Sequence, residues 1–103
     1  MQNKVKDFNY MVKKYHKKTM DISARLLDIQ SEIGEVGKEY LKITKYGTKP
    51  FVKNTEFEME IGDALYSLLS LCEETNCSAE NCLNMALEKY KSRLSAKKNM
   101  GSK

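Results

Sequence analysis

The 103-residue sequence contains no tryptophan, one proline and one histidine. The proline, Pro50, lies in the segment KYGTKPFVKN (45–54) together with Gly47, so that segment is predicted to be a loop. The histidine, His16, has neither a second histidine nor a C-x-x-C pair with which to bind zinc. A zinc site is therefore not expected.

The sequence also gives no basis for disulfide bonds or a membrane anchor. The three cysteines, Cys72, Cys77 and Cys82, are odd in number, which is typical of reduced thiols in a cytoplasmic protein. No stretch is long and apolar enough to span a bilayer, and the first residues, MQNKVKDFNY, contain no apolar run of the signal-peptide kind. We therefore expect a cytoplasmic protein that does not enter membranes.

The composition is that of one small globular domain. Hydrophobic residues make up 41% of the chain and charged residues 31%, with a net charge of +4. Because a core of this size is small, a homodimer or homotetramer that shares apolar surface is expected. Lysines gather near both ends around an acidic middle. This distribution suits a phosphate ligand held with metal, nonspecific nucleic-acid contact, or a plain solvated surface.

Apolar residues recur at helical spacing in four segments, and no segment alternates like a strand. The predicted helices cover 5–15 and 20–42, then a stretch from Thr55 to EETNCS, and a last stretch after Ser78. We therefore expect one all-α domain over 1–103, a helical bundle of about four helices that is completed by oligomerisation. Its core would span about 20–95, and 96–103 would be a frayed tail.

The second helix has a lengthwise apolar seam, and polar residues mark three helix starts. The seam is Ile22, Leu26, Ile29, Ile33, Val36, Tyr40 and Ile43. Its steps alternate between four and three residues, which is typical of a helix packed along another. Thr19 is the candidate N-cap of this helix and Ser78 that of the fourth. Thr55 and Glu58 have the spacing of a capping box at the start of the third.

Two acidic segments nearly repeat, SEIGEV at 31–36 and MEIGDA at 59–64. Each places two carboxylates three residues apart on one helix face, Glu32 with Glu35 and Glu60 with Asp63. Each pair borders the apolar seam of its own helix, so helices packed seam to seam would bring the pairs together. Such like charges repel unless a hard cation neutralises them. The alternative is that the acids are exposed glutamates that pair with lysines. This explains a single acidic segment, or box, better than it explains two such boxes.

Glycines inside the predicted helices accompany both boxes. Gly34, Gly37 and Gly62 each cost about 1 kcal/mol relative to alanine in a helix interior. A glycine lets a second backbone or a ligand approach closely. Because Gly34 and Gly62 occupy matching positions in the two boxes, we predict tight helix packing beside the acids.

On these residues the chain resembles the MazG-like nucleotide pyrophosphohydrolases. The resemblance rests on LLDIQSEIGEVGKEYLK and FEMEIGDALYSLLSL and covers roughly 20–95. That all-α family carries an EExxE box on one helix and an ExxD box on the next. Its acids bind Mg²⁺, which holds the triphosphate of a nucleotide while the enzyme releases pyrophosphate and leaves the monophosphate. The resemblance thus implies a metal-dependent pyrophosphohydrolase acting on an NTP or dNTP.

The resemblance also implies roles for individual residues. The metal ligands, for Mg²⁺ or alternatively Mn²⁺, would be Glu32, Glu35, Glu60 and Asp63. Glu35 is the candidate acceptor of the proton from the attacking water. Ser31 stands where the family usually has the first glutamate, so a catalytically weak relative that binds a nucleotide or a partner protein remains an alternative.

A basic pair on the fourth helix has two interpretations. Lys89 and Arg93 lie four residues apart on one face, where they would pair with phosphate oxygens. A solvated basic helix end, favoured by the helix dipole, explains them equally well. A basic nucleic-acid binder is the least favoured function, because it gives no reason for the paired acidic boxes.

Overall fold

The computed structural model describes residues 4, 6–8, 10, 11 and 21–101, the last four of these by backbone alone. Three helices follow one another, α1 (Ile22–Thr44), α2 (Thr55–Glu74) and α3 (Ala79–Gly101). The described residues before residue 12 are also helical, and no described residue lies in a strand. The all-helical prediction is confirmed, and none of the described helices is long and apolar enough to cross a membrane.

The helix starts follow from side chains that accept hydrogen bonds from backbone N–H groups. Asp21 caps α1 by accepting from the Ser23 amide at 3.2 Å, whereas Thr19 lies outside the described residues. Asn54 caps α2, since its Oδ1 accepts from the Phe57 amide at 2.8 Å. The cap therefore precedes Thr55, and the capping box predicted at Thr55 is wrong because the extended backbone of Asn54 already aims a side-chain oxygen at the first turn.

Later boundaries agree more closely with the sequence. Ser78 caps α3 as predicted, because its Oγ accepts from the Asn81 amide at 3.2 Å. α3 then runs to Gly101, so the segment predicted to be a frayed tail is helical from residue 96 to Gly101. α1 ends where Lys45 takes up the left-handed conformation, and the predicted loop over 45–54 follows.

α1 and α2 pack along each other in antiparallel fashion. Arg25, near the start of α1, contacts Glu74 at the end of α2. At the opposite end, the Phe51 ring from the loop stacks on Tyr40 at 5.5 Å and meets the edge of Phe57 at 5.0 Å. These two sets of contacts fix both ends of the helix pair.

The surface of α1 that packs on α2 contains only part of the predicted apolar seam. Ile29, Val36 and Ile43 from the seam are half-buried, while Leu26 and Ile33 are exposed. A polar row shares the contact surface, since Glu39 is buried and Arg25 and Glu32 are half-buried. The polar row fits against α2 because α2 opposes it with small or polar residues that bury well, namely Ala64, Ser67 and Ser70. The prediction of seam-to-seam packing therefore holds for Ile29, Val36 and Ile43 and is wrong for Leu26 and Ile33.

One side of the helix pair remains apolar and open. We call it the apolar face, and its members are Leu26, Ile33 and Tyr40 on α1 with Ile61, Leu65 and Leu68 on α2. These side chains are between 39% and 58% exposed. Because the helices are antiparallel, residues displaced in the same rotational sense from the contact line fall on the same side of the pair.

The internal glycines do not mark a close helix contact. A Cβ atom built on Gly34, Gly37 or Gly62 would meet nothing within 4 Å. The prediction of tight packing at these glycines is therefore wrong within one chain. The close approach of α1 and α2 uses other positions of α2, where Ala64 and Ser67 are buried.

Candidate metal centre

Three of the four predicted ligands converge between α1 and α2. One carboxylate oxygen each from Glu32, Glu60 and Asp63 lies within 4.8 Å of the other two. We call these residues the acidic triad. Glu32 and Glu60 are half-buried and Asp63 is exposed, so the triad lies at the edge of the helix interface and is open to solvent.

Glu35, the fourth predicted ligand and candidate base, lies beside the triad but not in it. Its Oε1 is 3.8 Å from the Lys38 Nζ on the next turn, and its side chain is about half exposed. The negative charge of Glu35 nonetheless acts on the triad, because it contributes to the raised pKa of both Glu32 and Glu60.

The triad carries more negative charge than its surroundings compensate. Partial burial is the largest cause of the raised pKa of Glu32, followed by the charges of Asp28, Asp63 and Glu35. Partial burial likewise comes first in raising the pKa of Glu60, followed by Asp63 and the neighbouring glutamates. A carboxylate whose charged form is disfavoured in this way gains from a nearby cation.

A polar network that the sequence did not predict adjoins the triad. The Arg25 Nε donates to Glu74 Oε1 at 2.9 Å, and its Nη2 donates to Glu74 Oε2 at 3.0 Å. The Arg25 Nη1 donates to Asp28 Oδ2 at 3.0 Å, and the Ser67 hydroxyl donates to the same oxygen. Arg25 is one of only two arginines in the chain and precedes Asp28 by three residues, and this spacing is the one sequence signal that could have indicated part of the network.

The predicted phosphate-binding pair lies apart from the triad. Lys89 Nζ and the Arg93 guanidinium both approach the Tyr90 ring, at 5.0 Å and 5.6 Å from its centroid. No contact among the described side chains joins either cation to the triad, so their role in phosphate binding stays a prediction.

The loop between α1 and α2 contains two aromatic residues, Tyr46 and Phe51, whose rings differ in their contacts. Phe51 is engaged by Tyr40 and Phe57 and therefore serves the fold. Tyr46 is 81% exposed, which leaves its ring accessible.

Comparisons with protein-family models, with curated proteins and with solved structures find no match for this chain. Any functional conclusion therefore depends on the geometry of the triad and on the two acidic boxes.

Proposed function

We propose that this protein is a metal-dependent nucleoside triphosphate pyrophosphohydrolase that converts an NTP or dNTP to the monophosphate and pyrophosphate. The observation that carries the proposal is the convergence of Glu32, Glu60 and Asp63 from two sequence-distant boxes. The order of those boxes along the chain resembles that of the MazG-like enzymes, and the proposed reaction is inferred from this resemblance.

The donor set of the triad suits Mg²⁺ or Mn²⁺. All three donors are carboxylate oxygens, which hard divalent ions prefer. In an octahedral Mg²⁺ shell with ideal bonds, opposite oxygens lie about 4.2 Å apart and neighbouring oxygens about 3.0 Å apart. Ligand oxygens already within 4.8 Å of one another therefore need only small side-chain movements to bind an ion.

Each residue then has a defined role. Glu32, Glu60 and Asp63 would hold the ion, which when bound neutralises phosphate charge and acidifies a water molecule. Glu35, half-exposed beside the triad, would accept the proton of the attacking water at its carboxylate. Lys89 and Arg93 do not contact the triad within one chain, and in this proposal they would reach phosphate oxygens from a second copy.

The test is pyrophosphate release from a panel of NTPs and dNTPs with Mg²⁺, with Mn²⁺ and with EDTA. We expect metal-dependent release by the wild-type protein and a loss of at least about tenfold in Glu60→Gln and Asp63→Asn. The matched control is Glu56→Gln, an exposed glutamate one turn earlier on α2, which should retain wild-type turnover. Release that ignores the metal, or full activity in both triad variants, would overturn the proposal.

The alternative is a catalytically weak relative that binds a nucleotide or a partner protein. Two observations favour it. Ser31 supplies no carboxylate beside Glu32, and Glu35 faces Lys38 and stands outside the triad. Metal-dependent nucleotide binding without pyrophosphate release from any member of the panel would select this function over the enzyme.

A homo-oligomer is part of the proposed function. The chain exposes 8476 Å², whereas a compact monomer of this size exposes about 5,900 Å². Its radius of gyration is 17.6 Å, against about 13 Å for a compact domain of 100 residues. The difference in surface exceeds the roughly 800 Å² that each partner buries in a standard interface. A homodimer or homotetramer that covers the apolar face would bury part of this excess.

A further inference from the structure

Arg25 occupies an unusual place in the helix pair. Among the residues whose side chains the structure describes, it is the only lysine or arginine that is not exposed. Its side chain is 12% exposed, and that of Glu74, which accepts both parallel hydrogen bonds from it, is 6% exposed. A bidentate arginine–carboxylate pair with this little exposure fixes the relative positions of its two helices better than a surface pair does.

The Arg25 contacts lie directly next to the acidic triad. Asp28, which accepts from Arg25 Nη1, is one turn before Glu32 on α1. Ser67, which donates to the same Asp28 carboxylate, is one turn after Asp63 on α2. The network thus joins α1 and α2 through residues that are helical neighbours of triad members on both sides.

The charges make a cation necessary at this place. Without Arg25, the contact surface would set Asp28 and Glu32 of α1 against acidic residues of α2, including Glu60 and Glu74, with no compensating charge. The Lys42–Glu39 pair at the far end, at 3.5 Å, involves an exposed lysine and is strongly screened by water. Repulsion of this kind would separate the helices just where the triad has to converge.

We propose that Arg25 is a positioning residue for the acidic triad. It assembles the triad by donating hydrogen bonds to Glu74 across the helix pair and to Asp28 on its own helix. The inference rests on the proposed metal-binding function. Arg25 does not touch the ion or the nucleotide. It acts by fixing the register of α1 on α2, so that Glu32 meets Glu60 and Asp63.

The first experiment measures Mn²⁺ affinity of the metal-free protein by electron paramagnetic resonance, at a temperature where circular dichroism shows every variant folded. We expect Arg25→Gln to weaken Mn²⁺ binding at least about tenfold, the usual size of an effect from groups that orient ligands. Lys53→Gln is the matched control, because it removes the cation of an exposed pair with Glu58. Its affinity should match that of the wild type.

Two further variants separate positioning from general stability. Arg25→Lys keeps the charge but cannot form the two parallel hydrogen bonds, so its affinity should fall between wild type and Arg25→Gln. In the double variant Arg25→Gln/Glu74→Gln, affinity should be no weaker than in Arg25→Gln alone, since the two residues act as one unit. If Arg25→Gln does not fold, Arg25→Lys and Glu74→Gln carry the test.

The outcomes distinguish the two proposals. A folded Arg25→Gln protein that melts at a lower temperature but binds Mn²⁺ like the wild type would assign Arg25 a purely structural role and overturn this inference alone. A wild-type protein that binds no Mn²⁺ would overturn the proposed metal site and this inference with it.

Discussion

At the scale of single residues, the carboxylates of the triad favour metal binding but destabilise the metal-free fold. Glu60 has a raised pKa, chiefly through partial burial and then through the neighbouring acids. The folded protein therefore binds a proton at Glu60 more tightly than the unfolded chain does. Stability from this source is present at low pH and is lost as pH rises through the window above the ordinary carboxyl pKa of about 4.3.

This opposition predicts an unusual result for Glu60→Gln. In EDTA at pH 7 the variant should melt at a higher temperature than the wild type, because the substitution removes a charge that the fold disfavours. At pH 5, where the wild-type carboxyl is closer to neutral, the difference should shrink. Thermal unfolding followed by circular dichroism at both pH values measures this.

Metal addition should reverse the order of the two proteins. Mn²⁺ stabilises whichever protein binds it in the folded state, so the wild type should gain more than Glu60→Gln. Glu56→Gln serves as control, since that exposed residue lies outside the triad. A Glu60→Gln protein that is less stable than wild type in EDTA would show that Glu60 makes a favourable contact and is not under electrostatic strain.

At the scale of helices, the start of α2 offers a direct comparison of two caps. The Asn54 side chain accepts from the Phe57 amide at 2.8 Å, whereas Thr55 is already the first helical residue. We expect Asn54→Ala to lower the free energy of unfolding by about 1 kcal/mol, the ordinary value of an N-cap. Thr55→Ala should change it by much less. Urea unfolding of the two variants decides between the caps, and a larger loss in Thr55→Ala would restore the capping box.

The helices themselves were predictable from sequence, but their relative rotation was not. The 3.6-residue period and the loop at 45–54 are local signals, and both helices appear where these signals place them. The rotation depends on contacts between distant residues. Arg25 donates a hydrogen bond to Glu74 on the other helix, and Asp28 accepts one from Ser67. No local spacing reveals those partners, so the whole apolar seam was expected to pack on α2, whereas only Ile29, Val36 and Ile43 from it are half-buried.

The same distinction explains what was predictable of the candidate site. The two boxes indicated which carboxylates share a helix face, and three of them do converge. Glu35 lies on the far edge of that face, where Lys38 approaches it. The ion pair of Arg25 with Glu74 was missed because its importance depends on the burial of both side chains, which arises only when α1 and α2 are in contact.

At the scale of the whole molecule, the apolar face predicts self-association. Its six partly exposed side chains lie on one side of the helix pair. Burial of such a face stabilises an interface by roughly 25 cal/mol per Å² of apolar surface, before the costs of association. We therefore expect a dimer or tetramer in size-exclusion chromatography with light scattering.

A charge on the apolar face should dissociate this oligomer. Leu65 is 49% exposed on the apolar face, so Leu65→Lys should shift the protein towards monomer. Leu27 is 65% exposed but lies outside that face, one residue beyond Leu26 on α1, so Leu27→Lys is the matched control and should keep the wild-type mass. Equal dissociation by both variants would place the interface elsewhere, and a wild-type monomer at high concentration would overturn self-association.

If Leu65→Lys also loses pyrophosphate release while retaining Mn²⁺ binding, the second copy supplies part of the active site, as required if Lys89 and Arg93 act across the interface.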